Sequence, residues 1–187
     1  MPRVAIARLE ELFINCESYL EYGCGGSTTV AAKLGVKNII YCDSSSDWID
    51  SVSAIVTPYP DIKSYPIYVD IGEVGGWGRP KDRSKAFLWK NYCYQPWVIA
   101  KKNNIEPQLI LIDGRFRVAC FMVSLLSARA GTQILFDDFC DREYYQIVKN
   151  IIVPRCTYDR LAEFIVPEQF DRSASLLMLL DYINETN

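Results

Sequence analysis

The sequence predicts an α/β protein built on a doubly wound, mostly parallel sheet of seven strands that ends in an antiparallel hairpin. Two patterns predict this class. Apolar runs rich in β-branched residues alternate with segments of helical periodicity along most of the chain, which is typical of parallel βα units. Two further apolar runs close the sequence without a helix-length spacer between them, which favours an antiparallel pair.

The first half of the chain holds the first three strands. Apolar residues at helical spacing predict an opening amphipathic helix over 4–15. Gly35 ends the second helix, and Pro58 and Pro60 mark the turn before the third strand. The predicted strands are 20–22, 36–43 and 64–70, and the two further helices are 28–34 and 47–56.

A glycine-rich segment separates the two halves of the chain. Residues 71–85 carry several glycines around Trp77, too many for a helix or a strand, and the segment is long for a connection. We therefore predict a lid or substrate loop here, with Trp77 as a substrate contact.

The second half continues the alternation of strands and helices. Residues 108–113 are a near-continuous apolar run, as expected for a central parallel strand buried on both faces, and 132–138 predict a fifth strand. The closing runs 161–166 and 176–182 are predicted to pair as the antiparallel hairpin. The remaining helices are predicted at 88–103, with a kink or break at Pro96, at 118–130 and at 143–153.

Length and composition restrict the class of protein. A chain of 187 residues fits one domain, and no apolar run approaches the roughly 20 residues of a membrane-spanning helix. The first residues show neither a secretory signal nor a transit peptide, so a cytoplasmic protein is expected. The 7 cysteines are scattered without a C-x-x-C pair, which favours free thiols over disulfides or metal knuckles.

The charge balance and the absence of histidine exclude several kinds of partner and reaction mechanism. The chain has 20 basic and 23 acidic residues and no long basic tract, so nucleic acid is not expected as a partner. It contains no histidine, which excludes Ser-His-Asp and Cys-His hydrolases and every mechanism with an imidazole base.

A glycine loop joins the first strand to its helix. Gly23, Gly25 and Gly26 permit a sharp turn and a close approach to a ligand, and Ser27 is placed to cap the following helix. Asp43 follows Gly23 by 20 residues, at a strand end where a carboxylate can bind two ribose hydroxyls.

The same loop indicates which nucleoside it binds. Thr28 stands where a dinucleotide fingerprint has its third glycine, and no phosphate-binding G-x-x-x-x-G-K motif is present. Glu21 adds an acid two residues before the first glycine. A cationic nucleoside fits this combination.

At these residues the chain resembles the class I S-adenosylmethionine-dependent methyltransferases, whose first motif is a strand, an acidic residue and a G-x-G loop. The resemblance implies a Rossmann-like fold with S-adenosyl-L-methionine as cofactor. Asp43 then binds the ribose and Asp70 the adenine amino group. The implied cofactor-binding residues are Glu21, Gly23, Cys24, Gly25, Gly26, Ser27, Asp43, Ser44, Asp70, Ile71 and Asp113. Simpler roles stay open, namely a helix cap for Asp43 and a solvated turn for Asp70.

Three aspartates suggest a second site. Asp113 after the fourth strand and the pair Asp137 and Asp138 after the fifth resemble the metal-dependent sugar O-methyltransferases of macrocin and novobiocin biosynthesis. That resemblance implies a Mg²⁺ or Mn²⁺ ion on all three, with Asp113 and Asp137 catalytic. The alternative is that Asp137 or Asp138 only caps the next helix.

Two arginines depart from that family. Arg115 and Arg117 follow Asp113, where acidic and aromatic residues are more usual. They are predicted either to contact an acidic acceptor or to form ion pairs with Asp137 and Asp138.

A closer resemblance covers most of the chain. The motifs at 21–27, 70–72, 76–80 and 112–117 together are similar to small methyltransferase-like proteins of bacteria and large viruses, some attached to glycan-building enzymes. The expected function is an O-methyltransferase for a sugar, a glycan or another small acceptor. The alternatives are a catalytically silent module that partners a glycosyltransferase, and a nucleotide-sugar or NAD-dependent enzyme. The chain is expected to form one domain. This domain is expected to occur alone, as a homodimer or as part of a larger glycan-synthesis protein.

Overall fold

A computed structural model describes residues 1–186 and contains one seven-stranded sheet with helices on both faces. The strands are β1 (Ser18–Tyr22), β2 (Asn38–Asp43), β3 (Lys63–Tyr68), β4 (Leu109–Ile112), β5 (Gln133–Phe136), β6 (Cys156–Tyr158) and β7 (Leu161–Ile165). The α-helices are α1 (Arg3–Phe13), α2 (Gly26–Lys33), α3 (Ser46–Val56), α4 (Ala86–Lys102), α5 (Arg117–Ser127) and α6 (Arg172–Tyr182). Two 3₁₀ helices span Gly76–Gly78 and Glu143–Asn150.

The strand order is β3-β2-β1-β4-β5-β7-β6. The first five strands are mutually parallel, whereas β7 runs antiparallel to β5, and β6 antiparallel to β7. The order reverses between β1 and β4, and in open α/β sheets ligands bind outside the carboxyl ends of the strands at such a reversal. The predicted fold class is confirmed.

Alternating side chains of the central strands build two apolar layers. Leu20 and Tyr22 of β1 pack in the layer under α4 and α5, while Tyr19 of the same strand packs in the layer under α1, α2 and α3. All five residues of β1 are buried, as expected for a parallel strand covered on both faces. The central strands are therefore packed on both faces, and their carboxyl edge carries the loops described below.

The antiparallel pair differs from the predicted one. The structure pairs Cys156–Tyr158 with Leu161–Ile165, and the predicted partner 176–182 lies in α6 instead. The Asp171 carboxylate begins α6 by accepting a hydrogen bond of 2.8 Å from the Ala174 N–H. Leucine and methionine also favour a helix over a strand. An apolar run next to a strand was therefore insufficient evidence for a hairpin.

Two helices differ in detail from the prediction. Residues 143–150 form a 3₁₀ helix instead of an α-helix. Helix α4 continues through the buried Pro96, so no break occurs there. No helix within residues 1–186 is long and apolar enough to span a membrane.

Candidate functional site

A cavity of about 930 Å³ opens at the carboxyl edge of the sheet, and we call it the strand-end cleft. Its walls come from the loops after β1, β2, β4 and β5 and from the glycine-rich segment 71–85. A second cavity, of about 1000 Å³, lies at the opposite edge beside Ser18, Asn38 and Gln108. The chemistry-bearing residues of the sequence gather in the strand-end cleft.

Two glycines let the loops after β1 and β4 touch. Gly23 has a φ of +87°, and a Cβ there would lie 2.6 Å from Gly114 Cα. A Cβ on Gly114 would collide with the Tyr92 hydroxyl. The Gly23 N–H donates to the Cys42 carbonyl at 2.9 Å, which fixes the loop to β2 as well. Larger residues at 23 or 114 would push the loops apart and reshape the cleft.

Glu21 lies beneath the glycine loop and does not line the cleft. Its carboxylate is fully buried and accepts hydrogen bonds from the Ser27 and Thr28 hydroxyls. Burial raises the pKa of Glu21 to about 8, although both hydroxyls lower it. Ser27 is thus engaged with Glu21 and does not cap α2 as predicted, because its hydroxyl points back toward β1. The Gly25 N–H instead donates to the Thr28 hydroxyl at 2.9 Å.

Asp43 lines the cleft at the end of β2, together with Ser44 and Cys24. Its Oδ1 accepts a hydrogen bond of 3.0 Å from the Ser45 N–H, and burial raises the pKa of its carboxyl group. The cap of α3 is Ser45, whose hydroxyl accepts from the Trp48 N–H at 3.3 Å. The helix-cap alternative for Asp43 is therefore excluded.

Trp48 is a cleft residue that the sequence analysis missed. Its indole N–H donates to the Cys24 carbonyl at 2.6 Å, and its ring lies against Gly25. It holds the glycine loop from the side of α3. The signal in the sequence was weak, because a tryptophan on a helix is more often a core residue.

Asp70 and Ile71 lie outside the set of residues that line the cleft. Asp70 forms an ion pair with Lys85 and accepts a hydrogen bond of 2.9 Å from the Gly72 N–H. The Lys85 ammonium lowers the pKa of Asp70. Ile71 is buried in the core, and its carbonyl accepts from the Trp89 indole at 2.8 Å.

The glycine-rich segment forms a small folded loop over the cleft. Val74 pairs with Pro80, and the Gly75 N–H donates to the Arg79 carbonyl at 2.7 Å. Trp77 at its tip is 93 % exposed and has a left-handed φ of 61°. Gly78 passes beside the Ser44 hydroxyl. The loop therefore packs beside the Asp43 end of the cleft, and the exposed indole of Trp77 lies at the entrance of the cleft.

The three predicted aspartates do come together, and we call them the acidic cluster. One oxygen of each of Asp113, Asp137 and Asp138 lies within 4.8 Å of the others. Asp138 has a left-handed φ of 60°, a backbone conformation that is uncommon for residues other than glycine.

Arginines surround the acidic cluster. Arg117 pairs with Asp113 at 3.1 Å and with Asp138 at 3.2 Å. Arg160 pairs with Asp137 at 3.0 Å and with Asp138 at 3.1 Å, and Arg142 pairs with Asp138 at 2.8 Å. The ion-pairing alternative is therefore correct for one of the two predicted arginines. Neither Arg142 nor Arg160 was predicted. Arg142 is only four residues after Asp138, whereas Arg160 reaches Asp137 because the sheet brings the β6–β7 turn to this edge.

Arg117 joins the ends of β4 and β5. It is 4 % exposed, and its Nε donates to the Gly114 carbonyl at 2.9 Å. Its Nη1 donates to the Asp137 carbonyl at 2.7 Å and its Nη2 to the Asp113 carbonyl at 2.9 Å. With its donors occupied by the protein, Arg117 stabilises the loop geometry.

The acidic cluster does not fit a divalent metal ion. Three carboxylates are balanced by three guanidinium groups, so an ion would have to displace arginines that are already hydrogen-bonded. Mg²⁺ is usually held by one or two carboxylates and several waters, without cations paired to those carboxylates, whereas each aspartate of this cluster is paired with at least one arginine.

Asp113 is the half-buried member of the cluster, and it lines the cleft together with Asp138 and Asp43. The pKa of Asp113 is raised to about 7, because burial and the neighbouring Asp137 and Asp138 raise it more than Arg117 lowers it. A carboxylate with this pKa can accept a proton near neutral pH. Arg115 is nearly buried and also lines the cleft.

The comparisons with known proteins agree with this architecture. No family model and no curated protein matches the chain. The crystal structure of an RNA methyltransferase from Salinibacter ruber, in complex with S-adenosyl-L-homocysteine, has a TM-score of 0.54 at 13 % identity over 90 % of this chain and 94 % of its own, and so shares the fold. A methyltransferase-like protein from Silicibacter pomeroyi DSS-3 has a TM-score of 0.86 at 30 % identity over 98 % of this chain and 95 % of its own. On that similarity over nearly the whole of both chains, the protein belongs to the family of this methyltransferase-like protein.

Proposed function

We propose that the protein is an S-adenosylmethionine-dependent methyltransferase that methylates a hydroxyl of a sugar, a glycan or another small acceptor. The observation that carries the proposal is the strand-end cleft, where Asp43 and Asp113 face one cavity beside two touching glycine loops. The family likeness supports the reaction class. The sugar acceptor is supported only by the resemblance of the sequence motifs.

The residues at the Asp43 end fit a nucleoside. Asp43 supplies a carboxylate for the ribose hydroxyls, and Ser44 lies beside it. The absence of a Cβ at Gly23 and Gly114 lets the backbones of the two loops come together at the cleft. Asp70 and Ile71 remain predictions for the adenine, and reaching the cleft would require the Asp70 to Lys85 ion pair to open.

When bound, the cofactor supplies an electrophilic methyl group on a sulfonium. The contribution of this chain is to orient the acceptor and remove its proton. Asp113 accepts the proton of the acceptor hydroxyl on its carboxylate, which leaves an electron pair of that oxygen free for the methyl group that the cofactor would supply. Asp137, paired with Arg160, fixes the electrostatic surroundings of Asp113 without touching the acceptor.

A divalent metal is no part of this mechanism. Arg117, Arg142 and Arg160 already neutralise the acidic cluster through ion pairs. Without a metal, the carboxylate of Asp113 is the only proton acceptor in this mechanism. Trp77 at the cleft mouth is the aromatic surface on which an acceptor ring can pack.

Titration calorimetry with S-adenosylhomocysteine tests the proposal. We expect binding by the wild type and at least tenfold weaker binding by Asp43→Asn, which keeps the acceptor for the Ser45 N–H but loses the charge. The matched control is Asp50→Asn, an exposed residue on α3 outside the cleft. Absence of binding to folded wild type would refute the enzyme and leave the silent module as the better description.

A further inference from the structure

Arg115 differs from the other buried arginine of the strand-end cleft. Its side chain lines the cleft, although the residue is only 7 % exposed. Among the described residues 1–186, its Nη1 atom has no hydrogen-bond partner. A buried charged group without a partner is destabilising, because the water it lost has not been replaced. Such a group is expected where a ligand completes the site.

The fold holds the Arg115 backbone firmly in place. The Cys120 thiol donates to the Arg115 carbonyl at 3.3 Å, and the Tyr92 hydroxyl accepts from the Arg115 N–H. The next residue, Phe116, is buried and has a left-handed φ of 53°. The open guanidinium therefore belongs to an ordered turn.

The carboxylates near Arg115 are occupied by other groups. The acidic cluster is paired with Arg117, Arg142 and Arg160, and none of those ion pairs includes Arg115. Asp43 feels the positive charge of Arg115, but its Oδ1 accepts from the Ser45 N–H. The cleft thus has an unneutralised guanidinium on its inner wall, with Arg79 adding a second positive charge from the loop above.

We propose that Arg115 is the anion receptor of the strand-end cleft and binds a carboxylate or phosphate group of a ligand. A guanidinium offers two parallel N–H donors, which match the two oxygens of either group. The identity of the ligand rests on the proposed function. The anion is either the carboxylate of the cofactor's methionine part or an acidic group on the acceptor, which would then be a sugar phosphate, a nucleotide sugar or a sugar acid.

The first experiment compares two cofactor fragments by calorimetry. S-adenosylhomocysteine carries the amino-acid carboxylate, and 5′-methylthioadenosine lacks it. If Arg115 binds the cofactor, Arg115→Met weakens binding of S-adenosylhomocysteine at least tenfold and leaves that of methylthioadenosine unchanged. Arg129→Met, at an exposed ion pair on the opposite edge, is the matched control.

The second experiment uses pyrophosphate and inorganic phosphate without cofactor. If the anion belongs to the acceptor, either salt raises the melting temperature of the wild type above that in chloride of equal ionic strength. The rise is absent in Arg115→Met. It is reduced in Arg115→Lys, which keeps the positive charge but loses the two parallel N–H donors of the guanidinium. The cofactor fragments then bind wild type and variant equally.

The stability of the ligand-free protein gives an independent result. Removing an unpartnered buried charge is expected to leave the melting temperature of Arg115→Met equal to or above that of the wild type. A clear fall would show a structural role and overturn the proposal. Equal binding of all four probes by wild type and Arg115→Met, or an equal loss for both cofactor fragments, would also overturn it. Pyrophosphate binding through Arg115 in a protein that binds no S-adenosylhomocysteine would refute the proposed function alone.

Discussion

Asp113 and Glu21 are both acids with a raised pKa, but only Asp113 faces the strand-end cleft. The resemblance implied a cofactor contact for both residues and a catalytic role for Asp113 as well, but a sequence does not show which way the side chain of an acid in or after a strand points. In the structure, Asp113 can exchange a proton with a ligand, whereas Glu21 holds the glycine loop in place. Their different surroundings lead to two different predictions.

Replacing Asp113 by asparagine should strongly slow methyl transfer. We expect turnover to fall by about 10²-fold or more, the usual effect of losing a general base. Because the pKa of Asp113 is raised to about 7, wild-type turnover should rise with pH and level off above that value. Transfer of labelled methyl groups to a panel of sugar acceptors between about pH 5.5 and 9 measures both effects. A flat profile, or full activity in Asp113→Asn, would exclude this residue as the base.

Replacing Glu21 by glutamine should change how stability depends on pH. The folded-state pKa of about 8 is above the ordinary value of 4.5, so the folded protein holds a proton that the unfolded chain releases. The wild type is then most stable below the unfolded value and loses stability as pH rises toward 8, with a slope of at most about 1.4 kcal/mol per pH unit. Urea unfolding at several pH values should show that the free energy of unfolding of Glu21→Gln rises relative to that of the wild type as the pH increases across this window. A constant difference would contradict a buried protonated Glu21.

At the scale of elements, the sequence predicted the parallel strands well because each is a short apolar run ended by a turn. Asp43 and Asp113 were found for the same reason, since strand ends in this fold meet at one edge. The sequence failed where pairing depends on the folded sheet. Nothing local distinguishes the strand Cys156–Tyr158, and nothing local connects Arg160 in the β6–β7 turn with Asp137.

Arg117 should be the most important single link between β4 and β5. Arg117→Met leaves the carbonyls of Asp113, Gly114 and Asp137 without their Arg117 donor, while Asp138 keeps Arg142 and Arg160. We expect a loss of about 3 kcal/mol or more in the free energy of unfolding, roughly 1 kcal/mol or more for each unsatisfied carbonyl. The largely exposed pair of Arg129 with Glu106 is the control, for which removal of one partner should cost at most about 1 kcal/mol. Urea unfolding measures both. Similar losses for the two variants would mean that Arg117 does not hold the strand ends together.

At the scale of the whole molecule, the carboxyl edge of the sheet concentrates charge of both signs. The cleft draws aspartates from the ends of β2, β4 and β5, and its arginines come from the segments that fold back over the same edge. The acidic cluster is neutralised internally, which distinguishes it from a metal site built on the same three positions. Arg115 then remains as the positive group available to a ligand.

Chelation of divalent metal ions should therefore change neither the stability of this protein nor its affinity for the cofactor product. We expect the same melting temperature and the same affinity for S-adenosylhomocysteine in EDTA as in millimolar Mg²⁺ or Mn²⁺, because a metal gains the three carboxylates only by displacing three arginines. Asp138→Asn provides the internal check. It loses a charge paired with Arg117, Arg142 and Arg160, so it should lower stability equally with and without metal. A rise in melting temperature with Mg²⁺ that disappears in Asp138→Asn would show that the arginines give way and that the cluster holds an ion.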